Sequence, residues 1–171
     1  MLMVILALVP GLIFYVYFFG VGVLLNVFVA SLTALIAEYF VLKIRKLPPI
    51  VYLSDGSALV AAWLLALSIP SIAPWWIIVV GTLFTIVIAK HFYGGLGSNI
   101  FNPAMIGYAV LLISFPAIMT KWPSPIENSL SIESIRQALQ VFFYGLTQVG
   151  DGLTSATPLD YIKTALLQGQ I

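Results

Sequence analysis

Residues 1–42 read MLMVILALVPGLIFYVYFFGVGVLLNVFVASLTALIAEYFVL, and Glu38 is the only charged side chain among them. A single helix of that length would run about 60 Å, whereas the hydrocarbon core of a bilayer is about 30 Å thick. The stretch therefore predicts two membrane crossings that are separated near residues 20–22. Because apolar residues begin at Met1 without the positively charged start of a signal peptide, we expect Met1 to lie inside a membrane segment of a chain truncated at its front.

The whole chain has the composition of a membrane protein. Of its 171 residues, 61% are hydrophobic and only 8% are charged, and no soluble domain could bury that much apolar surface. The net charge of +1 and the lack of a long basic run exclude nucleic acid as an expected partner. The chain has no cysteine, which excludes disulfides, thiolate zinc sites and protein-ligated iron–sulfur clusters. Any redox chemistry therefore needs an organic cofactor.

Three more apolar segments follow a short basic loop. Residues 43–55 hold three of the seven basic residues and a Pro-Pro pair, so they predict a loop that faces the cytoplasm. The next apolar segments run over residues 57–69, 75–89 and 103–115, and the first of them is short for a full crossing. Alternation then puts residues 90–99 in the cytoplasm and the rest of the chain outside.

These segments divide the chain into two parts. We predict an all-α membrane domain over residues 1–115, with about five transmembrane or half-helices, and an extracytoplasmic part over residues 116–171. The second part ends with the start of a further apolar segment. Within it, residues 131–146 predict a surface helix, because apolar side chains recur there at helical spacing. The apolar face of that helix would carry Ile135, Ala138, Leu139, Phe142 and Leu146.

Charged residues at the membrane segments are candidates for chemistry. Glu38 is either an intramembrane ion ligand or an acid at the interface, about one turn from the basic loop. Lys90 and His91 form a titratable pair at a cytoplasmic helix end, where the helix dipole favours a cation. The favoured interpretation of this pair is a solvated role that sets topology, and proton transfer is the alternative.

Two further features lie where apolar segments begin. Asp55 either caps the helix that starts after it or binds a cation at a broken helix, and capping is the favoured interpretation. The three glycines of residues 94–97 could present backbone N–H groups to a flavin or a phosphate. Close packing at a helix break is favoured here, because no strand precedes the loop. We expect the stretch of residues 94–102 to be non-helical and buried against neighbouring helices.

Residues 151–157 read DGLTSAT. This stretch resembles the Asp-x-x-Ser/Thr-Gly-Ala-Thr motif by which flavin transferases recognise their targets, and the motif carries FMN on its last threonine. By this resemblance Thr157 holds FMN through a phosphoester, although Ser155 stands where glycine is usual. The alternative interpretation is a polar extracellular turn before Pro158. The transferase would recognise Asp151, Thr154, Ser155 and Ala156.

Other motifs carry the same resemblance over nearly the whole chain. They are LSDGSAL at residues 53–59, APWW at 73–76, YGGLG at 93–97 and NPAM at 102–105. In this order they resemble the family of NqrB and RnfD (RsxD) subunits of ion-translocating electron-transport complexes. LLISFP at residues 111–116, followed by MTKWP at 119–123, is more similar to RnfD than to NqrB.

The resemblance implies a function and a setting. The chain would be the N-terminal half of a subunit, truncated at both ends, and one half of an inverted-repeat fold like that of urea and ammonium transporters. It would sit as a multi-pass protein in the bacterial inner membrane, with other Rnf or Rsx subunits and a flavin transferase as partners. The complex would couple electron flow between ferredoxin and NAD to Na⁺ or H⁺ transport. Covalent FMN at Thr157, and room for a second, non-covalent flavin, are implied as well.

Two other functions fit the segments themselves. A channel or carrier for a small solute would also use helices broken by glycine and proline. A cofactor-free scaffold for partner subunits is the third interpretation. No side chain in the sequence is expected to act as an acid, base or nucleophile in turnover, so the flavin would supply the redox chemistry.

Overall fold

The computed structural model describes residues 1–95, 97–125, 131–145, 162–163 and 166–168. Eight α-helices and one π-helical segment are assigned within these ranges. The helices are α1 (Leu2–Phe19), α2 (Gly22–Ile44), α3 (Pro49–Leu53), α4 (Ser57–Ser68), α5 (Trp75–Leu83), α6 (Pro103–Ser114), α7 (Pro116–Met119) and α8 (Ile132–Tyr144). The π-helical segment Phe84–His91 continues α5 and is called the π segment below.

The two crossings expected at the start of the chain are confirmed as separate helices. Both α1 and α2 are long and apolar enough to span a membrane. They are separated at Gly20, whose φ of 78° lies in the region that glycine occupies without strain. α1 buries no residue within the fold, whereas α2 buries a full face.

α2 is the central helix of the fold. It packs mainly against α4 and α5, and also against α1, α3, the π segment and α8. Its buried face has small side chains at Ala30, Ala34 and Ala37, which let neighbouring backbones approach closely. The facing helix α4 buries Ala58, Ala61, Ala62 and Ala66 in the same core.

The break between α4 and α5 is fixed by its contacts with α2. Asn26 is fully buried in α2, and its Nδ2 donates a hydrogen bond to the carbonyl oxygen of Pro70 at 3.2 Å. A Cβ atom on Gly22 would overlap the carbonyl oxygen of Ser71, so only glycine allows this approach. The expected end of the third segment at residues 70–74 is therefore confirmed, and α2 supplies a partner for the freed backbone.

The fifth predicted segment is confirmed as α6. Asn102 is its N-cap, because its Oδ1 accepts a hydrogen bond from the Ala104 amide at 3.0 Å, and Pro103 occupies the first turn. α6 packs closely against α5 and the π segment. The close contact depends on Gly81 and Gly107, where added Cβ atoms would meet side chains of the opposite helix.

The basic loop and the surface helix differ in part from the expectation. Residues 43–55 contain the short helix α3, because a proline at the first helical position is pre-organised for a helix and loses no hydrogen bond. α8 begins after Ser131, whose hydroxyl accepts the Ser134 amide at 3.2 Å. Its buried residues are Val141 and Phe142. Leu139 is 40% exposed, so the buried face is rotated from the predicted one, and Leu146 lies outside the described residues.

Candidate functional site

Glu38 lies inside the helical packing. It is 1% exposed and belongs to the buried face of α2. A carboxylate in such surroundings needs an opposite charge and hydrogen-bond donors to offset its loss of hydration. The interpretation of Glu38 as an acid at the solvated interface is therefore wrong.

Lys90 supplies both the charge and the donors. Its Nζ donates to the two carboxylate oxygens of Glu38 at 2.6 and 2.9 Å, and to Oγ of Ser57 at 2.7 Å. An ammonium group has three donors, so all of them are used. Lys90 is 3% exposed, which contradicts the solvated role expected for it. α2, α4 and the π segment each provide one member of this cluster.

His91 is buried next to the ion pair. It is 6% exposed, so the solvated interpretation is wrong for this residue too. Its Nε2 lies 3.5 Å from Oε1 of Glu38, which is too long for a good hydrogen bond. Within the described part of the chain, neither ring nitrogen has a hydrogen-bond partner. The imidazole therefore keeps an unused donor and acceptor beside the carboxylate.

The π segment explains why two consecutive residues share one site. Its turn holds more residues than an α-helical turn, so neighbouring side chains point in more similar directions. Lys90 and His91 both face Glu38 as a result. π-helical turns are frequent at functional sites, and hydrophobic periodicity gives no sign of them.

A cavity of about 310 Å³ adjoins the cluster. It reaches the surface, since Arg45, Tyr52 and Asp55 in its wall are exposed. Its size and its mixed polar lining suit water and small ions. The lining residues are Glu38, Leu42, Arg45, Leu47, Tyr52, Asp55, Lys90, His91, Gly94 and Gly95.

Asp55 caps α4. Its Oδ1 accepts a hydrogen bond from the Ser57 amide at 2.6 Å, which satisfies one of the free N–H groups at the helix start. Asp55 therefore caps the start of α4 from one position before the N-cap, which is Gly56 and not Asp55 as expected. Cation binding by Asp55 stays a prediction. Because the hydroxyl of Ser57 also contacts Lys90, the cap helps to position one wall of the buried cluster.

The glycine loop closes the end of the π segment. The Gly94 amide donates to the carbonyl oxygen of His91 at 3.1 Å, and the Gly95 amide to that of Lys90 at 3.0 Å. Both N–H groups are used in hydrogen bonds that end the helix, so they cannot also bind a phosphate. This contradicts a phosphate site built from these two amides. Gly94, Gly95 and Gly97 all have positive φ, and the described part of residues 94–102 is non-helical, as expected. The expected burial of this stretch is wrong, because most of its described residues are exposed and only Gly95 is buried. Leu96 lies outside the described residues.

The flavin motif lies in a part of the chain that the structure does not describe. This applies to each of its five site residues. The attachment of FMN therefore stays a prediction that rests on the resemblance. The predicted flavin-site residues that lie outside the described part of the chain are Asp151, Thr154, Ser155, Ala156 and Thr157.

One signal in the sequence pointed to the buried pair. Glu38 is the only acid in the first 54 residues, and Lys90 is the only Lys or Arg between Lys46 and Lys121. Single opposite charges in apolar segments have few ways to be neutralised other than by each other. No local pattern around either residue indicates that the two side chains meet.

The apolar helices, their breaks at proline and glycine, and the sheltered ion pair define a helical membrane protein. The chain belongs to the NQR2, RnfD, RnfE family, whose family model matches residues 1–171. The expected family is thereby confirmed.

Three bacterial relatives carry the name of one and the same subunit of an ion-translocating oxidoreductase complex. The protein of Aliivibrio salmonicida (strain LFI1238) is 52% identical over 179 aligned positions, which cover 99% of this chain and 51% of the relative. The proteins of Escherichia coli O1:K1 and of E. coli strain K12 are each 50% identical, with the same coverage. The chain thus spans about half the length of the curated relatives it matches.

Proposed function

We propose that this chain is the N-terminal half of the RnfD-type subunit of an Rnf-type ion-translocating oxidoreductase. The subunit would carry covalent FMN and pass electrons in a reaction coupled to Na⁺ or H⁺ transport across the bacterial inner membrane. Its partners would be the other subunits of the complex and a flavin transferase. Family membership over all residues supports this proposal, and the observation that carries it is the ion pair of Glu38 and Lys90 among apolar helices.

The residues of this chain would act on the flavin by placing it. Thr157 would hold FMN through a phosphoester on its hydroxyl oxygen, which a transferase would form from FAD with AMP as the leaving group. Ser155 and Ala156 are small, so the transferase can close over the chain at this point. FMN held there would supply the electron transfer, a chemistry that no side chain of this chain is expected to supply.

The buried cluster would serve the coupling ion. The 310 Å³ cavity would give the ion a route from the surface to the carboxylate of Glu38. An arriving cation must compete with the ammonium group of Lys90, which holds both carboxylate oxygens. If the coupling ion takes the place of the Lys90 ammonium group, the carboxylate of Glu38 always has a cation beside it. This exchange avoids the cost of a buried, unpaired carboxylate.

Flavin fluorescence on a denaturing gel tests the proposal. The full-length protein is co-expressed with a flavin transferase, and its band should fluoresce because a phosphoester survives denaturation. Thr157→Ala should abolish the signal, whereas Thr164→Ala, a hydroxyl outside the motif, should keep it. Full fluorescence in the Thr157→Ala variant would contradict this attachment site.

A channel or carrier for a small solute is the second candidate. It is favoured by the breaks at residues 69–74 and 92–102, combined with a cavity that ends at a buried ion pair. A wild-type band that stays dark although the transferase modifies another target in the same cells would support this candidate.

A further inference from the structure

The end of α2 and the short helix α3 form a surface of mixed character. Its three cations are exposed, and within the described part of the chain none of them forms an ion pair. Three large apolar side chains beside them are 66–80% exposed. The cations are Lys43, Arg45 and Lys46, and the apolar residues are Ile44, Ile50 and Val51. We call these six residues the basic surface.

Lys46 has an unusual backbone conformation. Its φ of 56° makes it the one non-glycine residue with a positive φ among the residues that the structure describes. Its amide donates to the carbonyl oxygen of Lys43 at 3.1 Å, and the Leu47 amide donates to that of Leu42 at 3.0 Å, which is the pattern of a Schellman motif. Glycine is the usual residue at the positive φ of this motif, because a Cβ atom is strained there. A lysine in this place costs stability, so we expect its side chain to have a use.

The charge of this part of the chain indicates what the basic surface binds. Glu38 and Asp55 are the only acids in the first 126 residues. Glu38 is paired with Lys90, and Asp55 accepts the Ser57 amide, so neither carboxylate neutralises the three cations. α2 is long enough to span a membrane, and the cations lie at its end, which puts them at the level of the lipid phosphates. Cations beside exposed apolar side chains match that boundary between headgroups and acyl chains.

We propose that the basic surface binds anionic phospholipids in the membrane leaflet at which α2 ends. The ammonium groups of Lys43 and Lys46 contact the lipid phosphates. Ile50 of α3 enters the acyl region below them. Arg45 and Tyr52 line the 310 Å³ cavity, so the bound lipid lies beside the entrance to the Glu38 cluster. The inference goes beyond the proposed function and does not depend on the flavin.

Quenching of a fluorescent probe by spin-labelled lipids tests the inference. The full-length protein, with Ile50→Cys as its only cysteine, carries bimane at that position and is reconstituted into vesicles of phosphatidylcholine. The quencher is either phosphatidylglycerol or phosphatidylcholine, each with a nitroxide on the acyl chain close to the headgroup. The ratio of the two quenching constants measures the preference of α3 for the anionic headgroup.

Lys46→Gly is the decisive variant. Glycine suits the positive φ at this position, so the change removes the cation and relieves the strained backbone at the same time. Arg136→Gln is the matched control, because it removes an exposed cation of α8 outside the basic surface. Soluble glycerol phosphate, added as a competitor, distinguishes a lipid from a free phosphate.

The wild-type protein should prefer phosphatidylglycerol at least about fivefold, since each cation at a membrane surface contributes roughly this factor. Lys46→Gly should lower the ratio about fivefold, although its unfolding midpoint in denaturant should equal or exceed that of the wild type. Arg136→Gln should keep the wild-type ratio, and glycerol phosphate should leave it unchanged.

Three outcomes would overturn the inference. An unchanged ratio in Lys46→Gly, or an equal loss in Arg136→Gln, would mean that the basic surface does not select the lipid. Quenching by neither lipid would mean that α3 lies in water. A ratio abolished by glycerol phosphate would mean that the site takes a free phosphate instead of a lipid.

Discussion

Nζ of Lys90 lies 2.6 Å from Oε1 of Glu38, although 52 positions separate the two residues in the sequence. Both side chains are almost fully buried. The pair connects α2 to the π segment at the end of a cavity, and Ser57 of α4 completes the coordination of the ammonium group. Burial of such a pair in a membrane protein costs desolvation energy, and costly buried charges usually have a function. The pair is therefore the first place to test for function.

Removal of one charge of the pair should strongly destabilise the protein. Glu38→Gln leaves the ammonium group of Lys90 buried without a counter-charge, and we expect a loss of about 3–5 kcal/mol in the free energy of unfolding. The double variant Glu38→Gln, Lys90→Met should regain much of this loss, because no unpaired charge is left. Denaturant titration in detergent, followed by tryptophan fluorescence, measures both values.

Lys43→Met is the matched control for that experiment. Lys43 is exposed and interacts only with the ring of Tyr39, at 6.0 Å from the centroid, among its contacts that the structure gives. Its removal should cost about 0.5–1 kcal/mol. A Glu38→Gln loss no larger than that of Lys43→Met would mean that the buried pair is solvated in the membrane.

Gly107→Ala should destabilise the contact between α6 and the π segment. An added Cβ would overlap Oγ1 of Thr85 and lie 2.9 Å from the carbonyl oxygen of Gly81, which is backbone and cannot swing aside. We expect a loss of about 1–3 kcal/mol, as for other overpacked sites. Gly11→Ala in α1 is the control, since a Cβ there meets nothing within 4 Å. That change should be neutral or stabilise the helix by up to about 1 kcal/mol. Equal effects of the two changes would contradict close packing at Gly107.

Asp55→Ala should cost about 1 kcal/mol through the loss of the α4 cap. Asp55→Asn keeps a side-chain oxygen that can accept the Ser57 amide, so its stability should stay near that of the wild type. Unfolding titrations compare the two variants. If Asn were as destabilising as Ala, the charge of Asp55 would matter more than its cap, and the cation-binding interpretation would gain support.

Cysteines introduced at Lys46 and Ser124 should react from opposite sides of the membrane. The chain has no cysteine of its own, so each variant carries one unique label. The basic loop is expected in the cytoplasm because positive charge stays on that side, and an odd number of crossings separates the two positions. A membrane-impermeant thiol reagent applied to intact cells should label Ser124→Cys alone. Labelling of both variants from one side would contradict this topology.

The sequence determined the helical segments and most of their ends. Apolar length alone separated α1 from α2, and apolar runs or helical spacing predicted α6 and α8, whose caps Asn102 and Ser131 were recognised only in the structure. These signals are local, since a cap or a break depends on residues only a few positions apart. The family could be identified for the same reason, because its motifs are short continuous stretches.

Only the tertiary structure decided which charged residues meet. Glu38 and Lys90 looked like separate residues near an interface, because each lies close to the end of its own apolar segment. Their contact depends on how α2, α4 and the π segment pack, and the π-helical turn that presents Lys90 and His91 together follows from that packing. Pairing across 52 positions is set by the summed contacts of whole helices, such as the alanine face of α2 against α4, and no local pattern encodes it.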